Sequence, residues 1–486
     1  MISSWRRFSK RPWEEQSSIQ DKLLTAYLKE DVAPFHAYYN KAFKENGVDF
    51  THFKGVKDLK NLPFTTKADM IDAIDEDTTA FILKPTPEGI KEHWPLKRKA
   101  PLGLTKILGG SESAKRMIEK DFLPIFMTAT TGRTTRPVPF MYSKTDVNRL
   151  RESGKRLAGI MGLTSKDRLL NVFPYAPHLA FWQVAFAGFE GGIFILSTGG
   201  GKTIGTAGNI RMLDRIQPSG MLGVPSYLYH VLRTAREQKV SLKNMKSIVL
   251  GAEKIADTLR DKLVELTIEC GGEKPAVMGT YGFTEAKIAW TECPGGTGYH
   301  LYPDMGVVEI INPDTGEVLG EGESGEIVYT AIGARGTMVV RYRTGDYSEG
   351  GITHGPCPYC GLTVPRLNSR ITRLTNQTDM RLTKVKGTLV DLNHIGAVLS
   401  GAREIEEWQV VLKKRNDDPH DVDEIVFYLA PATGMTIDVK AIENAVAEAT
   451  EVKPAAIHIE DIEKIIERIG LETELKETRF LDTRPD

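Results

Sequence analysis

Four short apolar runs between residues 168 and 253 constrain what this chain can fold into more than any other feature. RLLNVFP, GGIFILS, GMLGVPSYL and SIVLGAE are each aliphatic or β-branched and flanked by glycine or proline, as buried strands are. Beside and between them lie stretches with helical spacing, such as TDVNRLRESGKRLAGIM and YLYHVLRTAREQK. Strand-like and helix-like segments in alternation predict parallel sheet covered by helices, an α/β fold. Ligands in such folds gather at the carboxyl ends of the strands, so the loops after strands are where function is sought.

The rest of the chain divides by texture. At 486 residues it exceeds what one hydrophobic core supports. The first 75 residues space apolar side chains at three and four, as in QDKLLTAYLKEDVAPFHAYYNKAF, which predicts an amphipathic helix pair. After Pro303, VVEIINPDTGEVLGEGESGEIVYT reads as period-two strands with turns at PDTGE and GEGESGE. From about Thr375, WQVVLKK, DEIVFYLA, VKAIENAVAEAT and AAIHIEDI predict strand, strand, helix, strand. The expected architecture is a large domain of layered sheets and helices with a β-rich subdomain over residues 1–375. After it comes a small mobile α+β domain over 376–486, with the polar turn NQTD at 376–379 as hinge.

Charge narrows the partners. Lys and Arg number 63 against 64 Asp and Glu, which leaves no basic footprint for nucleic acid or an anionic membrane. No run reaches the roughly 18 apolar residues of a membrane helix, and the charged start MISSWRRFSKRPWEEQ lacks the apolar core of a signal peptide. Four cysteines in so long a chain do not form a disulfide framework and point to a reducing cytoplasm. A homodimer is the expected assembly, closed symmetric pairs being common among enzymes.

The loop TTGRTTRP (130–137) combines one glycine, two arginines and four hydroxyls after the apolar run FLPIF. Such a loop can bind phosphate through backbone N–H groups, hydroxyls and forked guanidinium groups, although it is not a Walker loop. Further along come GAE (251–253) after SIVL, YGFTE (281–285) after PAVMGT, and RYRTGD (341–346) after GTMVV. In this order they resemble the motifs of the adenylate-forming superfamily of acyl-CoA synthetases, luciferases and peptide-synthetase adenylation domains. LPFTTKADM, ECPGGTGYH, EIINPDTGEVL, CPYCG and KVKGTLVDLNHI resemble its phenylacetate–coenzyme A ligase branch. The likeness runs from about residue 60 to the end, apart from a segment near 75–120. Within the phosphate loop, Arg133, Thr135 and Arg136 replace a hydroxyl residue, a glycine and a lysine of the family pattern SSGTTGKP.

The resemblance implies a chemistry. A carboxylate attacks the α-phosphate of ATP, pyrophosphate leaves, and the thiol of coenzyme A displaces AMP from the acyl-adenylate. Catalysis then rests on placed cations and donors. Thr130, Thr131, Gly132, Thr134 and Arg136 would wrap the β- and γ-phosphates. Thr284 would touch the α-phosphate, and Glu285 would help hold Mg²⁺, which wants oxygen ligands. Tyr281 and Gly282 would flank the adenine, with Gly251, Ala252 and Glu253 on its edge. Asp346 would bind the ribose hydroxyls, and Arg373 or Arg370 would assist ribose and α-phosphate. TELKETRFLDTR (473–484) resembles the family's C-terminal signature and places the adenylation lysine at Lys476, with Asp379 as the hinge residue. The same branch carries a metal knuckle. Cys357 and Cys360 with Cys293 and His300 supply S₃N, a closed set for structural Zn²⁺, with His354 as a rival fourth ligand and Cys270 left over. The acyl pocket is expected around FPYAPHLAFW (173–182), from Tyr175, His178 and Trp182, which suits an aryl or mid-size apolar acid. Two other readings remain open: an adenylating ligase with an amine or carrier-protein acceptor, and a nucleotide-binding protein that has lost catalysis.

Overall fold

The computed structural model describes residues 4–129, 138–175, 178–253, 255–374, 382–385, 388–415, 423–450, 452–474 and 477–484. The four apolar runs are the strands Arg168–Asn171, Phe194–Ser197, Gly220–Gly223 and Ser247–Leu250. With Ala276–Gly282 and Ala289–Thr291 they build a six-stranded sheet, in which Phe194–Ser197 forms one edge and Arg168–Asn171 lies beside it. Every neighbouring pair is parallel except the last, where Ala276–Gly282 meets Ala289–Thr291. Gly220–Gly223 and Ser247–Leu250 are buried at every position, which is why these strands are continuous apolar runs without alternation.

Helices cover the sheet. Lys144–Ile160 opens with a capping box in which the Ser143 side chain and Asp146 satisfy each other's backbone N–H groups. Its Gly154 faces helix Leu179–Gly191 so closely that a Cβ there would lie 2.7 Å from the Ala187 nitrogen. The N-terminal helices Trp13–Tyr27 and Ala37–Glu45 are joined by the π turn Leu28–Val32 and the short helix Ala33–Phe35. They bury Leu24, Leu28 and Tyr39 in the same core as Tyr329, Val340 and Tyr342. The segment near 75–120 that matches no motif contains the helix Leu96–Phe122, broken at Gly110 (φ 77°, ψ 175°).

The β-rich part holds Gly306–Ile311, Gly325–Ala331 and Tyr342–Ser348 as neighbouring antiparallel strands. The two hairpins expected after Pro303 are realised differently. Gly306–Ile311 pairs with Gly325–Ala331 across the whole intervening loop, and the PDTGE turn closes only on the single bridge Ile311–Val318.

Contacts divide the chain into two units, Met1–Gly199 with Ile210–Ile371, and Gly200–Asn209 with Thr372–Asp486. In the second unit Ile405–Lys414 and Asp423–Pro431 form an antiparallel centre flanked by the parallel strands Phe480–Asp482 and Ala456–Ile459. Its core packs Trp408, Val410 and Phe427 against Ile395 and Val446. Residues 375–381, with Asp379, lie outside the described residues.

Candidate nucleotide site and cysteine cluster

Parallel strands present their carboxyl ends on one edge, and the predicted motifs begin there. Gly251 follows Leu250, and a Cβ at this glycine would sit 2.4 Å from Thr280 Oγ1 and 3.3 Å from Phe173 Cζ. Ala252 next to it has φ 71°, a left-handed conformation that costs about 1 kcal/mol or more for a residue with a Cβ. Glu253 accepts a hydrogen bond from the Ser226 hydroxyl at 3.0 Å, at the start of helix Pro225–Glu237.

One strand along, Tyr281 and Gly282 end the strand Ala276–Gly282, and Thr284–Ala286 is a 3₁₀ turn. Tyr281 Oη donates to Asp346 Oδ2 at 2.9 Å. Tyr342 Oη donates to Glu285 Oε1, also at 2.9 Å. The two motifs are thus cross-linked by a pair of tyrosine–carboxylate hydrogen bonds running in opposite senses. Both acids are buried, each 8% exposed, so neither is a solvated surface charge. The Tyr281 ring stacks on Trp290 with centroids 5.9 Å apart. Gly282 passes under the antiparallel neighbour, where a Cβ would meet Ala289 Cβ at 2.9 Å. Asp346 is set by the left-handed Gly345 (φ 69°) and by its own N–H donating to Thr344 Oγ1 at 3.0 Å.

Thr130, Thr131, Gly132, Thr134, Arg136 and Lys476 lie outside the described residues. The strands that bracket the threonine-rich loop, Pro124–Ala129 and Pro139–Ser143, are paired antiparallel with Ala129 opposite Pro139. Arg373 is exposed at the end of the strand Ile371–Arg373, while Arg370 pairs with Asp257 at 3.3 Å on the surface. In the expected acyl segment Phe173 is core, at 2% exposure, whereas Tyr175 stands out at 66%. Tyr175 packs edge-on against Phe181 at 5.0 Å, and Trp182 against Phe126 at 5.1 Å. His178 precedes the first residue of helix Leu179–Gly191.

Residues 74–338, more than half of the chain, match the model of the AMP-binding enzyme family. The chain belongs to that family. It is 26% identical over 412 residues to a phenylacetate–coenzyme A ligase of Thermus thermophilus, covering 83% of this chain and 79% of that protein. With the Escherichia coli phenylacetate–coenzyme A ligase it shares 24% over 352 residues, covering 69% and 67%. Among solved structures, 2-hydroxyisobutyryl-CoA ligase in its postadenylation state superposes with a TM-score of 0.70 at 19% identity, over 99% of this chain and 92% of that one. That likeness carries the fold.

This AMP-binding enzyme also holds the cysteine cluster. The donor atoms of Cys293, His300, Cys357 and Cys360 all lie within 4.8 Å of one another. Cys293 Sγ and Cys357 Sγ are 3.8 Å apart, the edge of a tetrahedron with metal–sulfur bonds of about 2.3 Å. Cys360 Sγ is 3.2 Å from His300 Nε2. His300 Nδ1 faces the Thr291 carbonyl at 3.3 Å, so the ring proton sits on Nδ1 and the Nε2 lone pair turns to the thiols. Burial lowers the His300 pKa and keeps the imidazole neutral, as a metal ligand must be. The Cys293 thiol is held down to about 4, first by the hydrogen bond from Cys360, which is itself pushed up. The rival His354 is turned elsewhere, with its Nδ1 3.3 Å from Glu321 Oε2 and its ring against Trp13.

Four residues around these sites are not singled out by the motifs alone. Tyr342 and Ser226 hold Glu285 and Glu253. Lys287 and Asp146 form a buried pair at 3.1 Å, in which burial pushes Lys287 down to about 8.

Proposed function

We propose that this AMP-binding enzyme activates a carboxylic acid with ATP and passes the acyl group to coenzyme A. In the first step a carboxylate oxygen attacks the α-phosphorus, the bond to the bridging oxygen breaks, and pyrophosphate leaves. In the second the thiol, losing its proton, adds to the acyl carbonyl, and AMP leaves with the electron pair of the C–O bond. The observation that carries this reading is the double cross-link Tyr281–Asp346 and Tyr342–Glu285. It brings two motifs some sixty residues apart into one buried acidic site beside the carboxyl ends of a parallel sheet.

Each residue then has a task. Asp346, aimed by the Tyr281 hydroxyl, accepts from the ribose hydroxyls. The ring of Tyr281, backed by Trp290, makes a flat wall for adenine, with Gly251, Ala252 and Glu253 along its edge. Glu285 is a buried oxygen donor suited to Mg²⁺, which when bound neutralises charge on the phosphates. Thr284, the threonine-rich loop from Thr130 to Arg136, Arg373 and Lys476 supply donors for the phosphates and the ribose. Two of the relatives named above are phenylacetate–coenzyme A ligases, and Tyr175, Phe181 and Trp182 form an aromatic group that, with His178 beside it in the sequence, suits an arylacetic or similar acid.

The cysteine cluster holds structural zinc in this reading. Three thiolates and one imidazole fill a tetrahedral shell and leave no position for water. The expected setting is the cytoplasm, where the thiols stay reduced, and the expected assembly is a homodimer.

The test is pyrophosphate release by the purified chain over aromatic, short and long carboxylic acids, with and without coenzyme A. Release with an aromatic acid, and acyl-CoA formed only when coenzyme A is present, is expected. Silence across the whole panel while ATP still binds would overturn the reading.

A further inference from the structure

Lys287 closes the turn that carries Thr284 and Glu285, its N–H donating to the Thr284 carbonyl at 3.2 Å from a left-handed conformation with φ 56°. Its side chain does not reach solvent, being 4% exposed. The ammonium lies 3.1 Å from Asp146 Oδ1, donates to the Met141 carbonyl at 3.0 Å and sits 4.8 Å over the Tyr142 ring. Asp146 in turn accepts from the Ser143 N–H at 2.9 Å, the Gly336 N–H at 2.6 Å and the Arg335 N–H at 3.1 Å. The Met141 carbonyl accepts a second hydrogen bond, from the Thr337 N–H at 2.9 Å.

Three parts of the nucleotide site therefore meet on one ion pair. Met141 belongs to the strand that leaves the phosphate loop, and pairs with Met127 on the strand that enters it. Residues 335–337 lead into the strand that carries Asp346. Lys287 ends the turn that carries Glu285. A buried pair of this kind adds little net stability over apolar residues of the same size, and a lysine in the left-handed region is uncommon. Glycine at the turn with an apolar side chain nearby would hold the fold with less strain. What the pair supplies instead is a fixed distance.

We infer that Lys287 is a positioning residue for Mg·ATP, pinning the Thr284–Glu285 turn to the strand that leaves the phosphate loop. The inference rests on the nucleotide site proposed above. With the pin in place, the turn that carries Glu285 keeps its distance from the strand Pro139–Ser143. Without it, the turn loses its tether to that strand, and a misplacement on the order of 1 Å in such a site costs up to about a hundredfold.

The test uses the full-length chain and its Lys287→Met, Lys287→Arg and Asp146→Asn variants. Direct Mg·ATP binding is measured by calorimetry, with steady-state KM values for Mg·ATP and for the acid, and the thermal midpoint of each variant. Lys287→Met and Asp146→Asn are expected to weaken Mg·ATP binding about ten- to a hundredfold while the KM for the acid changes by less than about threefold. Lys287→Arg, which keeps a charged donor for both oxygens, restores most of the binding. Lys287→Gln, which keeps a donor for Met141 without the charge, serves if the methionine variant does not fold. A folded, charge-free variant that binds Mg·ATP as wild type overturns the inference. So does equal weakening of nucleotide and acid in step with a fallen midpoint. Wild-type binding of Mg·ATP without turnover of any acid would instead count against the proposed reaction and leave this test in force.

Discussion

Tyr281 and Tyr342 each donate a hydroxyl hydrogen bond to a carboxylate of the other motif, and each bond helps satisfy an acid that is buried. A hydrogen bond to a charged group contributes about 1.5–3 kcal/mol. Tyr281→Phe keeps the ring against Trp290 and removes only the hydroxyl that aims Asp346. The KM for ATP is expected to rise roughly tenfold, with the KM for the acid unchanged, as steady-state kinetics would show. An unaltered ATP dependence would take this hydroxyl out of the nucleotide site. Glu285 and Asp346 could be singled out in the sequence because their motifs are short and ordered, whereas the hydrogen bonds that join the two motifs could not. Tyr342 was legible only as a letter of RYRTGD, with no hint of its partner. Lys287 was not legible, because a single lysine before IAWT carries no periodic or compositional signal. Its role comes from a partner 141 positions away in the chain, and no local pattern encodes such a contact.

At the scale of elements, the strands of the parallel sheet were readable because burial on both faces forces unbroken apolar runs. The pairing of Gly306–Ile311 with Gly325–Ala331 was not readable, since the turn signal at PDTGE lies inside the connection. The helix Ala37–Glu45 offers a pH test of its packing. His36 caps it, with Nδ1 accepting from the Tyr39 N–H at 3.3 Å, a role open only to the unprotonated nitrogen. Burial holds its pKa down to about 3, against about 6.5 in the unfolded chain. Between those values the unfolded state binds the extra proton, so stability rises with pH and is lost as pH falls below about 6.5. The slope is at most about 1.4 kcal/mol per pH unit. His36→Asn keeps a cap acceptor that does not titrate. Its urea midpoint is expected to vary less than wild type between pH 5 and 6.5, and equal slopes would remove His36 as the titrating group. The cysteine knuckle makes a second test. About one zinc per chain is expected by elemental analysis, lost in Cys357→Ala together with several degrees of thermal midpoint. A metal-free wild-type chain with an unchanged midpoint would sink the zinc assignment.

For the whole molecule, the proposed reaction has two half-steps that ask different groups to stand near one carbonyl. The small unit was readable as strand, strand, helix, strand. The grouping of Gly200–Asn209 with it was not, because nothing local marks that stretch as belonging far downstream. Lys476 itself is outside the described residues, but the residues just after it are firmly anchored. Arg479 is clamped between Glu407 at 2.8 Å and Glu477 at 2.6 Å, and Gln409 donates to the Thr478 carbonyl at 2.9 Å. In the sequence Lys476 directly precedes that anchored stretch. If it serves only where negative charge builds on the phosphates, its removal touches the first half-step and spares the second. Lys476→Ala is therefore expected to slow adenylate formation by at least about a hundredfold, the scale of one lost charge-stabilising donor. The same variant, supplied with a synthetic acyl-adenylate and coenzyme A, should form thioester within about threefold of the wild-type rate. Equal loss in both half-steps would mean that Lys476 supports the unit as a whole, and an unchanged adenylation rate would remove it from the mechanism.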